Sequence, residues 1–242
     1  MSLTALFSDI FARQDNWLAR LDSRMKLAAA AAGLAGVLLS GHAAFPIGVS
    51  LLCLTATVAV GVPARQVALR LAGPLTMVGT AVALRWWLDA GSLQSGAALI
   101  SRVLGGVSIV LLLTAVTPAH RIFHALRALG MPRGWVEMAL LMYRYTFTLL
   151  DMVADLTAAQ KVRLGYADIR RGWTSAGMVA GTVVLRSVDQ AVRTHEAMQV
   201  RGYRGEMPFG PLPAPTSRDW LALAGAFVLL LGLYCILEWR LA

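Results

Sequence analysis

Residues 97–117, AALISRVLGGVSIVLLLTAVT, form an apolar run of about the length that a membrane-spanning helix requires. The run contains one charged residue, Arg102, which lies one turn from its start. A side chain as long as that of arginine can reach the lipid headgroups from this depth. The stretch therefore predicts a helix that crosses a bilayer.

Four further apolar runs share this composition, and they cover residues 27–43, 45–62, 66–87 and 219–238. Over the whole chain of 242 residues, 57% are hydrophobic and only 14% are charged, which lies outside the range of soluble globular proteins. Each run is long enough for a tilted span. The sequence therefore predicts an all-α integral membrane protein with about five transmembrane helices.

The net charge of +9 follows from an uneven distribution of basic residues. They precede the first run, lie at the second turn, and number 13 between residues 118 and 218. Because basic residues collect in cytoplasmic loops, we expect the N-terminus and residues 118–218 to lie in the cytoplasm. The charge is thereby explained by membrane orientation, and we expect the lipid bilayer and no nucleic acid as a partner.

The chain thus divides into three predicted parts: residues 1–117 with the N-terminal segment and four spans, residues 118–218, and residues 219–242 with the last span. The middle part is too long for a simple loop. Its pattern predicts amphipathic helices over about 118–130, 135–164 and 175–201. In the first of them, Thr117 is predicted as the N-cap and Pro118 as the first helical residue.

The two longer helices end in similar stretches, Val162-Arg163-Leu164-Gly165-Tyr166 and Val200-Arg201-Gly202-Tyr203, whose arginines are 38 residues apart. A cation near a helix C-terminus and a glycine just beyond it are common helix-ending signals, so capping alone is one interpretation. The repetition of arginine, glycine and tyrosine favours a function for both ends. In the third helix, Gly177 and Gly181 form a pair that would let it cross a neighbour closely.

No catalytic motif is present: the chain lacks a G-x-x-x-x-G-K-[ST] phosphate loop, a G-x-S-x-G elbow and an H-E-x-x-H pair. We therefore expect a non-catalytic protein whose partner binds and hydrolyses any ATP. His120 and His124 could share a metal ion, but no third ligand is near, so we expect neither a metal site nor a cofactor. Residues 1–20 show no signal-peptide pattern.

Four stretches resemble the CbiQ-type transmembrane T component of energy-coupling factor transporters, which are associated with cobalt. They are WLARLDSRMKL (17–27), TPAHRIFHALRALGMP (117–132), RYTFTLLDMVADLTAAQKVR (144–163) and EAMQVRGYRGEMP (196–208). The last resembles the family's second Ala-Arg-Gly motif most specifically. This chain has valine before each arginine where the family often has alanine, and at the first motif the glycine is displaced by one residue, to Gly165.

The resemblance implies two long cytoplasmic helices that cross, and an arginine at each tip that docks into one of two ATP-binding subunits. The docking residues carried over are Arg201, Gly202, Arg163, Gly165, Ala197 and Tyr203. It implies a coupling subunit of a cobalt importer in the plasma (inner) membrane of a bacterium. The other partners implied are a substrate-capturing membrane S component of cobalt type, with or without a small accessory membrane subunit.

Three alternatives remain at this point. The same architecture could serve a nickel or vitamin importer, since the coupling subunit need not touch the substrate. A lipid-modifying membrane enzyme could grip anionic headgroups with its basic helices. It would need an acid/base cluster, yet Asp151 and Asp155 have no histidine at matching spacing. A membrane scaffold would have no ATPase partner.

Overall fold

The computed structural model describes residues 21–87, 93–205 and 216–239. Its helices, numbered along the chain, are α1 Ser23–Leu39, α2 Ala44–Ala59, α3 Ala64–Trp87, α4 Leu93–Val116, α5 Ala119–Ala128, α6 Arg133–Val162, α7 Ile169–Val200 and α8 Ser217–Trp239. The described residues contain no strand, so the all-α prediction is confirmed for them. The prediction for residues 1–20 and the final part of the fourth matching stretch, 206–208, lie outside the described residues.

Among the described residues, three helices are long and apolar enough to cross a bilayer by length and composition, through Ala64–Leu84, Gly96–Val116 and Asp219–Ile236. Helices α1 and α2 contain 17 and 16 residues, fewer than the roughly 20 that a span needs. The first predicted run, 27–43, extended four residues beyond the end of α1, over Ser40, Gly41, His42 and Ala43. In the structure α1 ends at Leu39, with Ser40 as its C-cap.

By internal contacts the described chain separates into two compact units. The described residues of Gln14–Ala125 and Pro213–Ala242 form one, called the bundle unit below. Those of Leu126–Leu212 form the other, called the hairpin unit. The boundary between them falls within α5. The sequence-based division at residues 117 and 218 separates membrane from cytoplasm, and it stays a prediction.

The bundle unit packs α1, α2, α4 and α8 around a small apolar core of Val37, Phe45, Val49, Cys53 and Ile109. Small residues allow the close packing that membrane helices favour. A Cβ on Gly105 would lie 3.1 Å from the carbonyl oxygen of Pro46, so α4 approaches the backbone of α2 directly. The rings of Phe45 and Tyr234 meet edge to face, with centroids 5.3 Å apart, and join α2 to α8.

Arg102 in α4 has a partner inside the bundle unit. Its Nη2 donates a hydrogen bond of 2.7 Å to the carbonyl oxygen of Ser40, the C-cap of α1. The last carbonyl groups of a helix lack partners within the helix and carry partial negative charge. The guanidinium therefore satisfies the end of α1, a role that the predicted reach to a lipid headgroup did not include.

The hairpin unit consists mainly of α6 and α7, which run antiparallel. At one level, Tyr145 Oη and Thr194 Oγ1 lie 2.8 Å apart. At a second, Ser175 Oγ donates to the carbonyl oxygen of Gly165 at 2.9 Å. Because residue numbers rise along α6 as they fall along α7, these contacts define an antiparallel pair.

Helix α7 begins at Ile169, six residues before the predicted start at residue 175. Asp168 is its N-cap, and the carboxylate accepts a hydrogen bond of 2.8 Å from the backbone N–H of Ile169. Aspartate is among the preferred N-cap residues. The local signal for the earlier start was therefore present in the sequence.

Candidate functional site

Helices α6 and α7 both end in exposed turns, called the first tip (residues 163–166) and the second tip (residues 201–205). Arg163 is the C-cap of α6, with φ −82° and ψ 12°. Arg201 is the C-cap of α7, with φ −84° and ψ 9°. The two arginines thus leave their helices with nearly the same backbone geometry.

At the first tip, two backbone hydrogen bonds close the end of α6. The N–H of Gly165 donates to the carbonyl oxygen of Gln160 at 2.9 Å, and the N–H of Leu164 donates to that of Lys161 at 3.0 Å. This pair of bonds is the Schellman pattern, which satisfies carbonyl groups that a helix end leaves unpaired.

The second tip repeats this pattern. The N–H of Tyr203 donates to the carbonyl oxygen of Met198 at 3.0 Å, and the N–H of Gly202 donates to that of Gln199 at 2.9 Å. The N–H of Arg201 also donates to the carbonyl oxygen of Ala197 at 3.3 Å. Counted from the arginine, the donors of the Schellman pair stand at the same positions in both tips.

The residue that follows each arginine has a left-handed backbone. Leu164 has φ 55° and Gly202 has φ 84°. Leu164 is therefore the structural counterpart of Gly202, although the sequence suggested that the glycine of the first motif was displaced. A left-handed conformation costs a non-glycine residue roughly 1–2 kcal/mol. No signal in the sequence identified Leu164 as this counterpart, because the first motif was matched to the second by its glycine, Gly165.

Gly165 has a different reason to be glycine. A Cβ at this position would collide with Ser175 Oγ and would lie 3.0 Å from the carbonyl oxygen of Gln160. Ser175 is only 3% exposed, and its hydroxyl donates to Gly165. The glycine therefore allows α7 to approach the first tip closely, and Ser175 is a residue that the sequence interpretation missed.

The arginine side chains lie at the surface with apolar neighbours. Arg163 and Arg201 are both exposed, and within the described residues neither guanidinium has a hydrogen-bond partner. The preceding residues, Val162 and Val200, are 86% and 90% exposed. An exposed guanidinium beside an exposed valine can enter a half-dry groove, where its planar fork can hold a carboxylate through two hydrogen bonds.

The tyrosines support the tips from within the chain. Tyr203 Oη donates to Glu137 Oε2 at 3.4 Å, and Glu137 near the start of α6 is 5% exposed. At the first tip, Tyr166 lies beside Gly172, where a Cβ would be 3.7 Å from its Cδ1. The hydroxyl of Tyr203, predicted as a docking residue, therefore already bonds within the hairpin unit.

The two tips lie at opposite ends of the hairpin. The first tip lies where α6 gives way to α7, whereas the second lies beside the start of α6 through the contact between Tyr203 and Glu137. Helix α7 has 32 residues, so at 1.5 Å per residue the tips are separated by roughly 48 Å. This distance suits two separate binding sites and excludes a single shared one.

Gly177 and Gly181 were predicted as a close crossing point. Both are exposed, and a Cβ added to either would meet no atom within 4 Å among the described residues. The described part of this chain therefore places no helix against them. A close crossing with a helix of another protein stays a prediction.

The described residues contain no group of three or more histidine, cysteine, aspartate or glutamate side chains that could hold a metal ion. On α5, partial burial lowers the pKa of His120, and the neighbouring charges of Arg121 and His124 lower it further. The structure thus adds no third ligand to the histidine pair within the described ranges.

Comparison with known proteins identifies the relatives of this chain. A cobalt transport protein CbiQ of Rhodobacter capsulatus is 31% identical over 160 residues, which cover 54% of this chain and 66% of that protein. An uncharacterized protein of Methanocaldococcus jannaschii is 33% identical over 115 residues, 48% of this chain and 43% of that protein. A protein of Methanocorpusculum labreanum, named as a fused cobalt transport protein CbiMQ, is 29% identical over 125 residues, 52% of this chain and 21% of that protein.

The chain covers less than two thirds of the length of each of these relatives. The family described as cobalt transport protein, CbiQ, matches residues 14–209, which include α1 to α7 and both tips. The match extends over well more than half of the 242 residues. On this ground the chain belongs to the CbiQ family of cobalt transport proteins.

Proposed function

We propose that this protein is the transmembrane coupling subunit of an energy-coupling factor importer for cobalt ions. The observation that carries the proposal is the repetition of one arginine geometry at both ends of the hairpin unit, roughly 48 Å apart. A helix cap alone gives no reason for two such exposed arginines, each beside an exposed valine. Membership of a cobalt transport family supports cobalt as the transported ion.

Two ATP-binding subunits are the partners that this arrangement fits. Each would receive one tip in a groove with acidic residues, where the guanidinium pairs with a carboxylate and the valine is covered. When ATP binding draws the two subunits together, the grooves move and the hairpin transmits the movement as a lever. Because the two tips are the ends of one rigid pair of helices, movement of one tip would also move the other.

The exposed apolar face of α7 is the surface for the membrane subunit that captures cobalt. Val184, Leu185, Val188 and Val192 are each more than half exposed and recur at helical spacing. A contact of this kind would let the lever reorient the substrate-binding subunit. The fused relative named CbiMQ supports an association between two cobalt transport proteins.

The membrane arrangement that we propose has five spans, with the N-terminus and the hairpin unit in the cytoplasm of a bacterium and the last span returning to the outside of the plasma membrane. Helices α1 and α2 would cross where the bilayer thins around them, as short apolar helices do. The protein would hold no cofactor of its own and would catalyse no reaction, because ATP would be bound and hydrolysed by the partners.

A co-purification experiment tests the coupling role. The detergent-solubilised chain is captured from its own source with its bound proteins, as wild type and as Arg163→Glu/Arg201→Glu. The matched control is Arg186→Glu/Arg193→Glu, which makes the same charge change at exposed positions within α7. We expect an ATP-binding subunit with wild type and control but not with the tip variant.

Two outcomes of this experiment would contradict the proposal. If the wild-type chain brings down no ATP-binding subunit, the transporter role fails, and a scaffold is the better description. If the tip variant retains the subunit as fully as the control does, the arginines are only helix caps. The transported ion is checked separately, by comparing cobalt and nickel uptake in cells that carry the assembled transporter.

A further inference from the structure

The start of α7 lies directly against the first tip. Its Ser175 hydroxyl donates to the carbonyl oxygen of Gly165 at 2.9 Å, and Tyr166 lies beside Gly172. The exposed residues at the start of this helix therefore adjoin the tip and can contact whatever binds there. The tip and the start of α7 are together called the first-tip surface below, which comprises residues 161–173.

The first-tip surface carries an excess of positive charge. Its one carboxylate, that of Asp168, accepts a hydrogen bond from the N–H of Ile169 at the start of α7. Its four basic side chains are all exposed, and none forms a hydrogen bond or ion pair with another described residue. They are Lys161, Arg163, Arg170 and Arg171. Three positive charges of this surface are thus uncompensated within the described part of the chain.

The second tip lacks this excess among the described residues. Arg201 and Arg204 lie there with Glu196, and the adjoining start of α6 adds Arg133 and Glu137. Three basic residues thus stand against two carboxylates. Because the two helix endings have nearly the same backbone geometry, the difference in charge belongs to the residues around each arginine.

The first-tip surface also has an exposed apolar part at the start of α7. Ile169 is 81% exposed and Trp173 is 77% exposed. Trp173 follows Ile169 by four residues and Arg170 by three, so the three side chains share one side of the helix. Tryptophan and arginine are enriched among the residues that supply most of the binding energy of protein interfaces.

We propose that the first tip binds its partner over the whole first-tip surface, and that this surface fits a broad acidic groove on an ATP-binding subunit. Arg170 and Arg171 would pair with carboxylates beyond the one that receives Arg163, and Trp173 would be covered by apolar residues of the groove. The proposal rests on the coupling role proposed above and extends it. It makes the first tip the contact that salt weakens more, because the excess of positive charge lies there.

An anionic membrane surface would also attract basic and aromatic residues. A lipid surface is fluid, however, and places no requirement on the backbone of Arg163. Two Schellman hydrogen bonds fix the end of α6, and the resulting backbone geometry recurs at Arg201. A groove in a folded protein is the occupant that such a fixed geometry fits.

Binding of the purified full chain to the purified ATP-binding subunit tests the proposal with one tip disabled at a time. In an Arg201→Glu background, Arg170→Gln/Arg171→Gln should weaken binding about tenfold or more, because binding depends on the first tip. In an Arg163→Glu background, the same pair should change binding by less than about twofold, because the second tip lies far beyond the screening length. Equal effects in the two backgrounds would show long-range attraction in place of contact and would overturn the proposal.

The matched control is Arg186→Gln/Arg193→Gln, which removes the same charge at exposed positions farther along α7. In the Arg201→Glu background this control should leave binding within about twofold of that background. Salt gives a second measurement, since raising it from about 0.1 M to about 1 M shortens the screening length from about 10 Å to about 3 Å. Binding through the first tip should weaken more than binding through the second. Equal salt dependence would contradict the assigned difference in charge.

Trp173→Ala addresses the apolar part of the surface. In the Arg201→Glu background it should weaken binding about tenfold or more, as loss of a covered tryptophan does at protein interfaces. The control is Trp135→Ala, which removes a tryptophan that is 66% exposed at the start of α6, the end of the hairpin away from the first tip. If Trp173→Ala binds as its background does, the groove does not cover this side chain and the proposed surface is wrong.

Tryptophan emission distinguishes the subunit from the membrane as the occupant. The emission that is lost in Trp173→Phe reports on this side chain, with the full chain reconstituted in phosphatidylglycerol nanodiscs. We expect the ATP-binding subunit to shift this emission to shorter wavelength, and brominated phosphatidylglycerol to leave it unquenched. Quenching by the brominated lipid, without a shift on addition of the subunit, would place the surface on the membrane and overturn the proposal.

Failure of this inference is distinguishable from failure of the coupling role. If the wild-type chain binds no ATP-binding subunit, the coupling role fails, and this inference fails with it. If the wild-type chain binds the subunit and Arg170→Gln/Arg171→Gln binds as tightly as its control does, only the extended surface is refuted. Docking through Arg163 and Arg201 would then stand without it.

Discussion

The first and second tips present their arginines in the same way but are supported by different contacts. At the first tip, Ser175 is buried against Gly165 and donates to its carbonyl oxygen at 2.9 Å. At the second tip, Gly202 has open space around it, and support comes from Tyr203, whose hydroxyl lies 3.4 Å from Glu137 Oε2. The shared part is the helix ending, and the part that differs is the packing behind it.

The comparison shows that one residue type can be required for two physical reasons. Gly202 is glycine because its φ is positive, and Gly165 is glycine because α7 leaves no room for a Cβ. Leu164 accepts the left-handed conformation that glycine takes at the second tip. A glycine in a motif therefore does not by itself mark an equivalent position.

Among substitutions at the two tips, reversing the charge of either arginine should have the largest effect. Under the coupling role, Arg163→Glu and Arg201→Glu should each weaken binding of the ATP-binding subunit by about 2–5 kcal/mol, because a carboxylate would face acidic residues in a partly dry groove. Equilibrium binding of the purified chain to the purified subunit measures this. A loss confined to one variant would show that the tips are not equivalent, and that the other arginine is only a cap.

Substitution of the two glycines should distinguish a position that lacks room for a Cβ from one that requires a positive φ. Gly165→Ala should reduce the free energy of unfolding by about 1–3 kcal/mol through overpacking against Ser175 and Gln160. Gly202→Ala should cost about 1–2 kcal/mol through its positive φ. Denaturant unfolding of the purified chain, with hydrogen exchange at the tip amides, measures both effects.

A second substitution at Ser175 provides the control for the glycine pair. Adding Ser175→Ala to Gly165→Ala removes the colliding hydroxyl, so the combined cost should be smaller than the sum of the single costs. Adding it to Gly202→Ala should give an additive result, because the two sites lie at opposite ends of α7. Additivity in both cases would show that the space around Gly165 is not limiting.

The smallest expected effect, and the only gain in stability, concerns Leu164. Leu164→Gly should raise the free energy of unfolding by about 0.5–1 kcal/mol, because relief of the left-handed strain exceeds the added entropy of the unfolded chain. The side chain is 68% exposed, so little packing is lost. Val162→Gly, at an exposed position within α6, should instead cost about 1 kcal/mol. A loss of stability in both variants would show that Leu164 packs usefully at the tip.

Much of the helical pattern could be predicted from the sequence, because apolar runs and capping residues act locally. The predicted helix 135–164 and α6, Arg133–Val162, agree within two residues at each end. The start of α7 was missed because the prediction rested on apolar periodicity and did not include Asp168, which caps the helix. The end of α1 was placed four residues too late, because Ser40 is its C-cap.

In the candidate site, too, the local features could be predicted from the sequence and the long-range contacts could not. The positions of both arginines and Gly202 at helix ends were predicted from the sequence, since a helix-ending signal is contiguous in the chain. Their docking role stays a prediction. Ser175 and Glu137 were not found, because each acts on a residue far along the chain and no periodic pattern connects them. Thr117 was predicted to cap α5, because threonine before proline commonly marks a helix start. Its Oγ1 instead has no hydrogen-bond partner among the described residues.

The sequence by itself determined that this is a helical membrane protein with a basic, amphipathic segment and two arginine-bearing helix ends, because hydropathy, charge and capping are properties of neighbouring residues. Tertiary structure alone decided that the two ends lie at opposite ends of one hairpin, that Leu164 matches Gly202, and that Ser175 packs against Gly165. Those features depend on which distant side chains meet, and packing between helices sets that contact.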